Sequence, residues 1–304
     1  MSDTPWFSDF SVRSGAVQVK TTGAVIPLDR ALASEAATWL GLYLAIRVKA
    51  AVNRLLPPGP AVWFAPQPPR PWYLIWAAAT WTGVRIARSP ETAQASFYFE
   101  DATCGRPPLP LHSRAFNFGC ADITKSRVAE VFEQVFGYPL ALDPTEGSGL
   151  AVEKGEANGV HDGRLIWRPT RARPGKVYQR VVDNIEDGQA VDLRTPVVGG
   201  RPVMVFIKRR AADQRFANHN ASVNLHRPEE IFSSAEIAKL GAFAKAMGLD
   251  WGGLDVLRDG ATGRLYVVDV NKTDMGPPIA LPFHHKLIAV ARMGRALRRL
   301  ISET

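Results

Sequence analysis

The chain has 304 residues, with 37 Lys+Arg against 29 Asp+Glu for a formal charge of +8, and is 46% hydrophobic and 22% charged. That length and balance exclude a disordered chain and allow one large unit or two to three smaller ones, each with its own core. The positive excess favours anionic partners such as nucleotides, phosphorylated metabolites, nucleic acid or acidic lipid; with no helix-turn-helix, zinc or RNA-binding signature beside it, no nucleic acid is expected.

Only Cys104 and Cys120 are present, without a close pair or a His at ligand spacing, so neither a disulfide framework nor a zinc site is implied and a reducing cytoplasmic compartment is the default. The opening MSDTPWFSDF lacks a basic-then-apolar leader profile, and no run reaches the roughly 20 apolar residues of a membrane span. The longest apolar stretch, residues 36–46, reads as a buried or interfacial helix.

In chain order, GAVQVK and AVIPLD read as short strands around a turn at Thr22-Gly23. Residues 31–56 have helical apolar spacing that ends at Pro57-Pro58-Gly59-Pro60. AVWFAP is a strand, residues 72–82 a helix stopped by Gly83, and VRIAR and ASFYFED two further strands, an alternation that indicates an α/β layer. Glu100 and Asp101, at the tail of the last, sit where open α/β sheets place functional loops but read rather as caps of the next turn, and Trp72, Trp76 and Trp81 read as core rather than an exposed contact face. RPPLP at 106–110 is a linker.

Asp122 or Thr124 caps a helix from Lys125 to Gly137, and YPLALDP is read as a strand. GLAVEKGEANGVHDGRLIW is a hairpin with glycines 155, 159 and 163 in its loop and Lys154 at its mouth, which can offer N–H groups and an ammonium to a phosphate chain. KVYQRVVDN, AVDLRTPVV and RPVMVFIKRR are strands, the last two joined at Gly199-Gly200. Ser234 caps a helix ending at Gly248, and residues 286–301 form a basic amphipathic helix with its apolar face packed and its arginines solvated.

The stretch GGLDVLRDGATGRLYVVDVN reads as a hairpin, and Asp269 and Asn271 share one face of its second strand. An odd-length loop brings Asp255 to that face from the partner strand. Three hard oxygen donors together suit Mg²⁺ held jointly with a nucleotide triphosphate.

The order of these pieces resembles the ATP-grasp superfamily across roughly residues 95–280, on FNFGCADITKS, AVEKGEANGV, VYQRVVDN with VDLR downstream, IKRRAADQRFANHN and GLDWGGLDVLRDGATGRLYVVDVN. The RR…RF-x-N stretch is most similar to the ribosomal-protein glutamate-ligase branch. The resemblance implies an α/β (α+β) fold: a preceding N-terminal α/β domain at 1–110, a central ATP-grasp subdomain at 111–180, and a C-terminal subdomain at 181–304 carrying the metal site. It implies ATP and Mg²⁺ as cofactors. Lys125 and Lys154 fall on the phosphate-holding lysines. Gln179, Val181 and Val182 fall on the hinge strand facing adenine, with Asp183 near the ribose. Arg194, Arg209 or Arg210, and Asn218 fall on positions that steady the γ-phosphate and an acyl phosphate; Asp255, Asp269 and Asn271 fall on the metal ligands. Three departures stand out: Asp269 where Glu is more usual, an acidic residue, Glu156, without proline after Lys154, and KTDMGPP after Asn271, where Lys272 and Asp274 either touch substrate or pair on the surface.

The activity implied is ATP-dependent ligation of a small-molecule or peptide carboxylate to an amine or thiol. A carboxylate is a poor electrophile until phosphorylation gives it a leaving group, and a site that does this works by positioning and charge neutralisation. The alternatives are a small-molecule kinase on the same fold and a nucleotide-binding protein without turnover. None of the six histidines has a pattern that marks it as a base. Oligomeric state is not legible.

Overall fold

The computed structural model describes residues 6–13, 15–20, 25–160, 162–216 and 220–303. The Thr22-Gly23 turn and Asn218 lie outside them. A meander of β1 (Phe10–Arg13), β2 (Ala16–Val19) and β3 (Val25–Pro27) leads into α1 (Arg30–Asn53), whose first turn is capped by Asp29 accepting from the Leu32 N–H at 2.8 Å.

Next comes a parallel sheet: β4 (Ala61–Pro66), α2 (Leu74–Thr82), β5 (Arg85–Ile86), β6 (Ala95–Phe99) and β7 (Ala115–Phe116), in strand order β5-β4-β6-β7. Gly83 ends α2 in the left-handed region at φ 75°. Trp72, Trp76 and Trp81 pack against the buried core, as expected.

α3 (Lys125–Phe136) starts at Thr124, whose side chain accepts from the Arg127 N–H, and stops at Gly137. The stretch 138–144 is not a strand. Its Leu142 N–H and Leu140 carbonyl meet β10 (Lys176–Arg180), but Pro139 and Pro144 lack the N–H groups a ladder needs, and one bridge, Ala141 to Gln179, is all that forms. The small antiparallel sheet is β10-β8-β9, with β8 (Gly149–Gly155) and β9 (Arg164–Arg168) joined by the glycine-bearing loop.

The seven-stranded sheet holds β11 (Ile185–Glu186), β12 (Gln189–Val198), β13 (Arg201–Pro202), β14 (Val205–Ala211), β15 (Ser222–His226), β16 (Trp251–Arg258) and β17 (Leu265–Asn271), along the path β15-β14-β12-β16-β17. Between β15 and β16 lie α4 (Pro228–Ile231) and α5 (Ser234–Ala246). The cap of α5 is Ser233 rather than Ser234: its hydroxyl accepts from the Glu236 N–H while Glu236 accepts from the Ser233 N–H.

Strand alternation sorts this sheet into two faces. Val191, Leu193, Val205, Ile207, Leu254 and Val256 pack under α3 and α5. From the other face Val198, Phe206 and Trp251 join the core of α1, α2 and β4. The C-terminal helix α6 (Phe283–Glu303) packs on α2, so the last segment returns to the first unit. Gly294 makes that approach possible, since a Cβ there would stand 2.6 Å from the Ala78 carbonyl oxygen. Asn117 ties the end of β7 to the start of β16: its side-chain oxygen accepts from the Asp250 and Trp251 N–H groups at 2.8 Å each, and its amide donates to the Trp251 carbonyl at 2.8 Å. Among the described residues no helix is long and apolar enough to cross a membrane.

Candidate active site

Between these layers lies a cleft of about 1490 Å³, walled by the inner face of the seven-stranded sheet, by β8 and its loop, and by α1 and the start of α2. Its floor is the β16–β17 pair. The two strands are separated by six residues, Asp259–Arg264, and register outward from that turn pairs Arg258 with Leu265 and Val256 with Val267. Continued unchanged, it would set Asp255 against Val268 and turn the two carboxylates apart. A bulge at Val268 takes up one residue, so Asp255 stands opposite Asp269, and Gly253 opposite Asn271. The shared face is therefore present, but the bulge creates it rather than an odd loop.

The same bulge frees a carbonyl. Lys154 of β8 donates to the Val268 oxygen at 3.0 Å, and Lys125, the first residue of α3, donates to Asp269 Oδ1 at 2.6 Å. Burial pushes the Lys154 ammonium down to about 8, and Lys125 beside it adds to this, with Asp269 opposing. Two lysines from separate elements thus converge on one strand segment.

Arg194 bridges Asp255, at 2.8 Å, and Asp274. Burial alone would raise the Asp255 carboxyl, but Arg194 and then Lys208 outweigh it and hold it down at about 2. Gly253 leaves room for this pair, because a Cβ would run into the Asp274 carboxylate and stand 2.7 Å from Arg194 Nε. Further along the face Arg210 pairs with Asp192, and Arg215 donates to the Val182 carbonyl and to Asn184 Oδ1, both at 3.0 Å.

Of the residues expected at the site, Lys125, Lys154, Gln179, Val182, Arg194, Arg210, Asp255, Asp269 and Asn271 line this one cleft. Arg209 does not. It alternates to the other face of β14 and lies 3.9 Å from Glu186. Val181 and Asp183 are likewise off the wall: Asp183 joins the hinge to the hairpin turn, its N–H donating to Asp259 at 3.2 Å and its carbonyl accepting from Gly260 at 2.7 Å. Lys272 and Asp274 neither pair with each other nor sit on the surface. Lys272 is buried over the Tyr98 ring and donates to the Ala121 carbonyl, while Asp274 is held by Arg194. Asp101 is not a turn cap: it accepts from the Tyr73 hydroxyl at 2.6 Å and the Thr273 hydroxyl at 2.8 Å at the cleft wall. Glu100 accepts from the Tyr98 hydroxyl.

Lys208 and Asp192 also line the cleft, each two residues from an expected site residue, Arg210 and Arg194, a period-2 spacing that puts them on the same strand face. Asp274, expected either to touch substrate or to pair on the surface, follows the strand in a loop and lines the cleft beside Arg194.

The donor set fits a nucleotide with Mg²⁺. Gln179 is buried at the cleft wall with its Nε2 unpartnered among the described residues, a donor left for a ligand. Asp255 and Asp269 each commit one oxygen to a protein cation, which leaves the second for a hard metal, the small protein share that Mg²⁺ takes beside phosphates; the Asn271 side-chain oxygen already accepts from the Thr273 N–H at 2.9 Å and hydroxyl at 3.3 Å. Among the described residues no group of three His, Cys, Asp or Glu forms a cage by itself.

No protein-family model matches the chain, and no curated protein matches it in sequence. Comparison with solved structures finds likenesses to ATP-grasp ligases. One is the RimK domain protein ATP-grasp from Sphaerobacter thermophilus, at 13% identity and a TM-score of 0.45, covering 77% of this chain and 97% of that one. Another is the L-amino acid ligase from Bacillus licheniformis, at 12% identity and 0.43, covering 81% and 75%. A third is the ATP-grasp ligase PsnB complexed with minimal precursor, Mg and ADP, at 17% identity and 0.40; the match takes in 59% of this chain and 62% of the length of PsnB.

Proposed function

We propose that the chain is an ATP-grasp enzyme that ligates a carboxylate to an amine or thiol through an acyl phosphate, using ATP and Mg²⁺. The observation that carries this reading is the convergence of Lys125 and Lys154 on the bulged Val268–Asp269 segment, beside the facing carboxylates of Asp255 and Asp269. A phosphate chain needs cations on one side and a carboxylate-held metal on the other, and this arrangement offers both within one recess.

Bound Mg²⁺ supplies charge neutralisation at the triphosphate. In the proposed roles the protein does the rest by positioning. Lys125 and Lys154 hold phosphate oxygens, and Gln179 and the Val182 segment take the base. Arg194, Lys208 and Arg210 line the same cleft and supply the cations that an acyl phosphate needs as its nucleophile comes in. Arg194 is braced by two carboxylates, so its guanidinium stays put as charge moves on the substrate. The aromatic and proline-rich wall of Trp39, Tyr43, Trp72 and Pro277 excludes water that would hydrolyse an activated acyl group.

Calorimetric titration with ADP, with and without Mg²⁺, tests the nucleotide site. Binding that needs the metal and disappears in Asp269→Ala is the expected result; no binding under either condition would remove the basis of the proposal. Hydroxylamine trapping with pooled carboxylic acids then tests the chemistry. Hydroxamate formed in step with ADP identifies an acyl phosphate, whereas ADP formed without hydroxamate would indicate phosphorylation of a hydroxyl.

A further inference from the structure

The helix α1 has two apolar faces, and the described residues cover only one. Its inner face packs Leu42 and Ile46 into the core, stacks Tyr43 on Trp76, and presents Glu35 and Trp39 to the cleft. Its outer face has no cover among the described residues. Leu40 is 47% exposed, Leu44 54%, Val48 66% and Val52 49%, a ridge at every fourth residue that continues into Leu55 at 86% in the turn beyond. Alanines at 33, 36, 37 and 51 flank the ridge, also exposed. Such a continuous stripe is a contact surface left unpartnered.

We infer that this face pairs with the same face of a second copy of the chain, antiparallel, about a two-fold axis at Leu44. Three observations select that occupant. The first is shape. With Leu44 on its own copy, Leu40 meets Val48 at the centre and Ala37 meets Ala51, while toward the ends Ala36 meets Val52 and Ala33 meets Leu55, where a large side chain falls on a small one. An isologous contact requires that self-complementarity. The second is charge. Arg47 and Arg54 flank the ridge in its C-terminal half, and the antiparallel arrangement sets them against Gly41 and Ser34; a parallel pair would stack each arginine on itself. The third is where the aromatics go. A helix lying at the headgroup level of a membrane carries Trp or Tyr on its outward face, whereas Trp39 and Tyr43 of α1 are turned inward, against Trp6 and Trp76.

A helix of 24 residues is about 36 Å long, and Leu28 and Leu56, exposed at its two ends, extend the surface toward the roughly 800 Å² per partner of a stable contact. Because the inner face of the same helix walls the cleft, pairing braces that wall.

Sedimentation velocity of the full chain from low to high micromolar concentration tests this. A dimer of twice the 33.3 kDa chain mass is expected, with Leu44→Arg sedimenting as a monomer at every concentration while its far-UV circular dichroism is unchanged. In a Cys104→Ser background, Leu44→Cys should crosslink to itself on mild oxidation. Leu40→Cys should crosslink to Val48→Cys only when the two variants are mixed. A monomer throughout, a dimer that survives Leu44→Arg, or a monomer that co-sediments with phosphatidylserine vesicles through Leu44 would each overturn the inference.

Discussion

Lys154 and Lys125 are the residues on which the proposed chemistry leans most directly. Replacing either by Met keeps the aliphatic stem and removes the ammonium; the expected loss is about a hundredfold in hydroxamate formation, on the scale of deleting one charge-stabilising donor from a recessed site. Gly253→Ala is a subtler probe, since its methyl would displace the Arg194–Asp274 contact without entering the core. Hydroxamate formation should fall at least as far, with circular dichroism unchanged.

Glu153 allows a test of stability that does not pass through the cleft. Burial raises its carboxyl, but the Tyr178 hydroxyl and then Arg164 and Arg173 outweigh that and hold it below the ordinary carboxylate range. A depressed folded value means the stabilisation is complete above the unfolded value of about 4.3 and is lost as pH falls through the lower folded one. Urea unfolding between pH 3 and 7 should therefore show an acid-side slope in the native chain that is shallower in Glu153→Gln.

At the scale of elements, short-range signals were enough wherever the structure is made by neighbours in sequence. Gly83 and Gly137 stop their helices with positive φ, and Gly199-Gly200, at 57° and 71°, makes the expected hairpin turn. Failure came where a partner elsewhere decides. Residues 138–144 look like a strand but have prolines where donors are needed, and a six-residue loop has the wrong parity for a face that a bulge then restores. Asn117 is another such element: a non-glycine residue at φ 62° whose side chain replaces backbone pairing between β7 and β16. Asn117→Ala leaves those buried groups unsatisfied and should cost about 2–4 kcal/mol in chemical denaturation, one unmet group accounting for about 1–3 kcal/mol.

For the whole molecule, the first and last segments form one body. Arg114 donates to the Ile301 carbonyl at 2.8 Å and Arg298 to the Thr82 carbonyl at 3.2 Å, so α6 is held to the unit laid down at the start of the chain. The cleft is lined from both cores, by Leu42 and Phe206 of one and Val182 of the other. ADP with Mg²⁺ at a hundredfold excess over its dissociation constant should stabilise the protein by about 2.7 kcal/mol, seen as a raised unfolding midpoint, and Asp269→Ala should abolish that rise.

The sequence by itself determined the mixed α/β character, most element positions, and the candidate donors Asp255, Asp269, Asn271 and Lys154, because periodicity, capping and turn residues act over a few neighbours; Lys125 as a donor rested on the family resemblance alone. Tertiary structure alone decided that Arg210 rather than Arg209 faces the cleft, that Asp274 braces Arg194, and that a bulge sets the two carboxylates face to face. Those outcomes depend on strand register and on contacts between residues far apart in the chain, which local pattern does not encode.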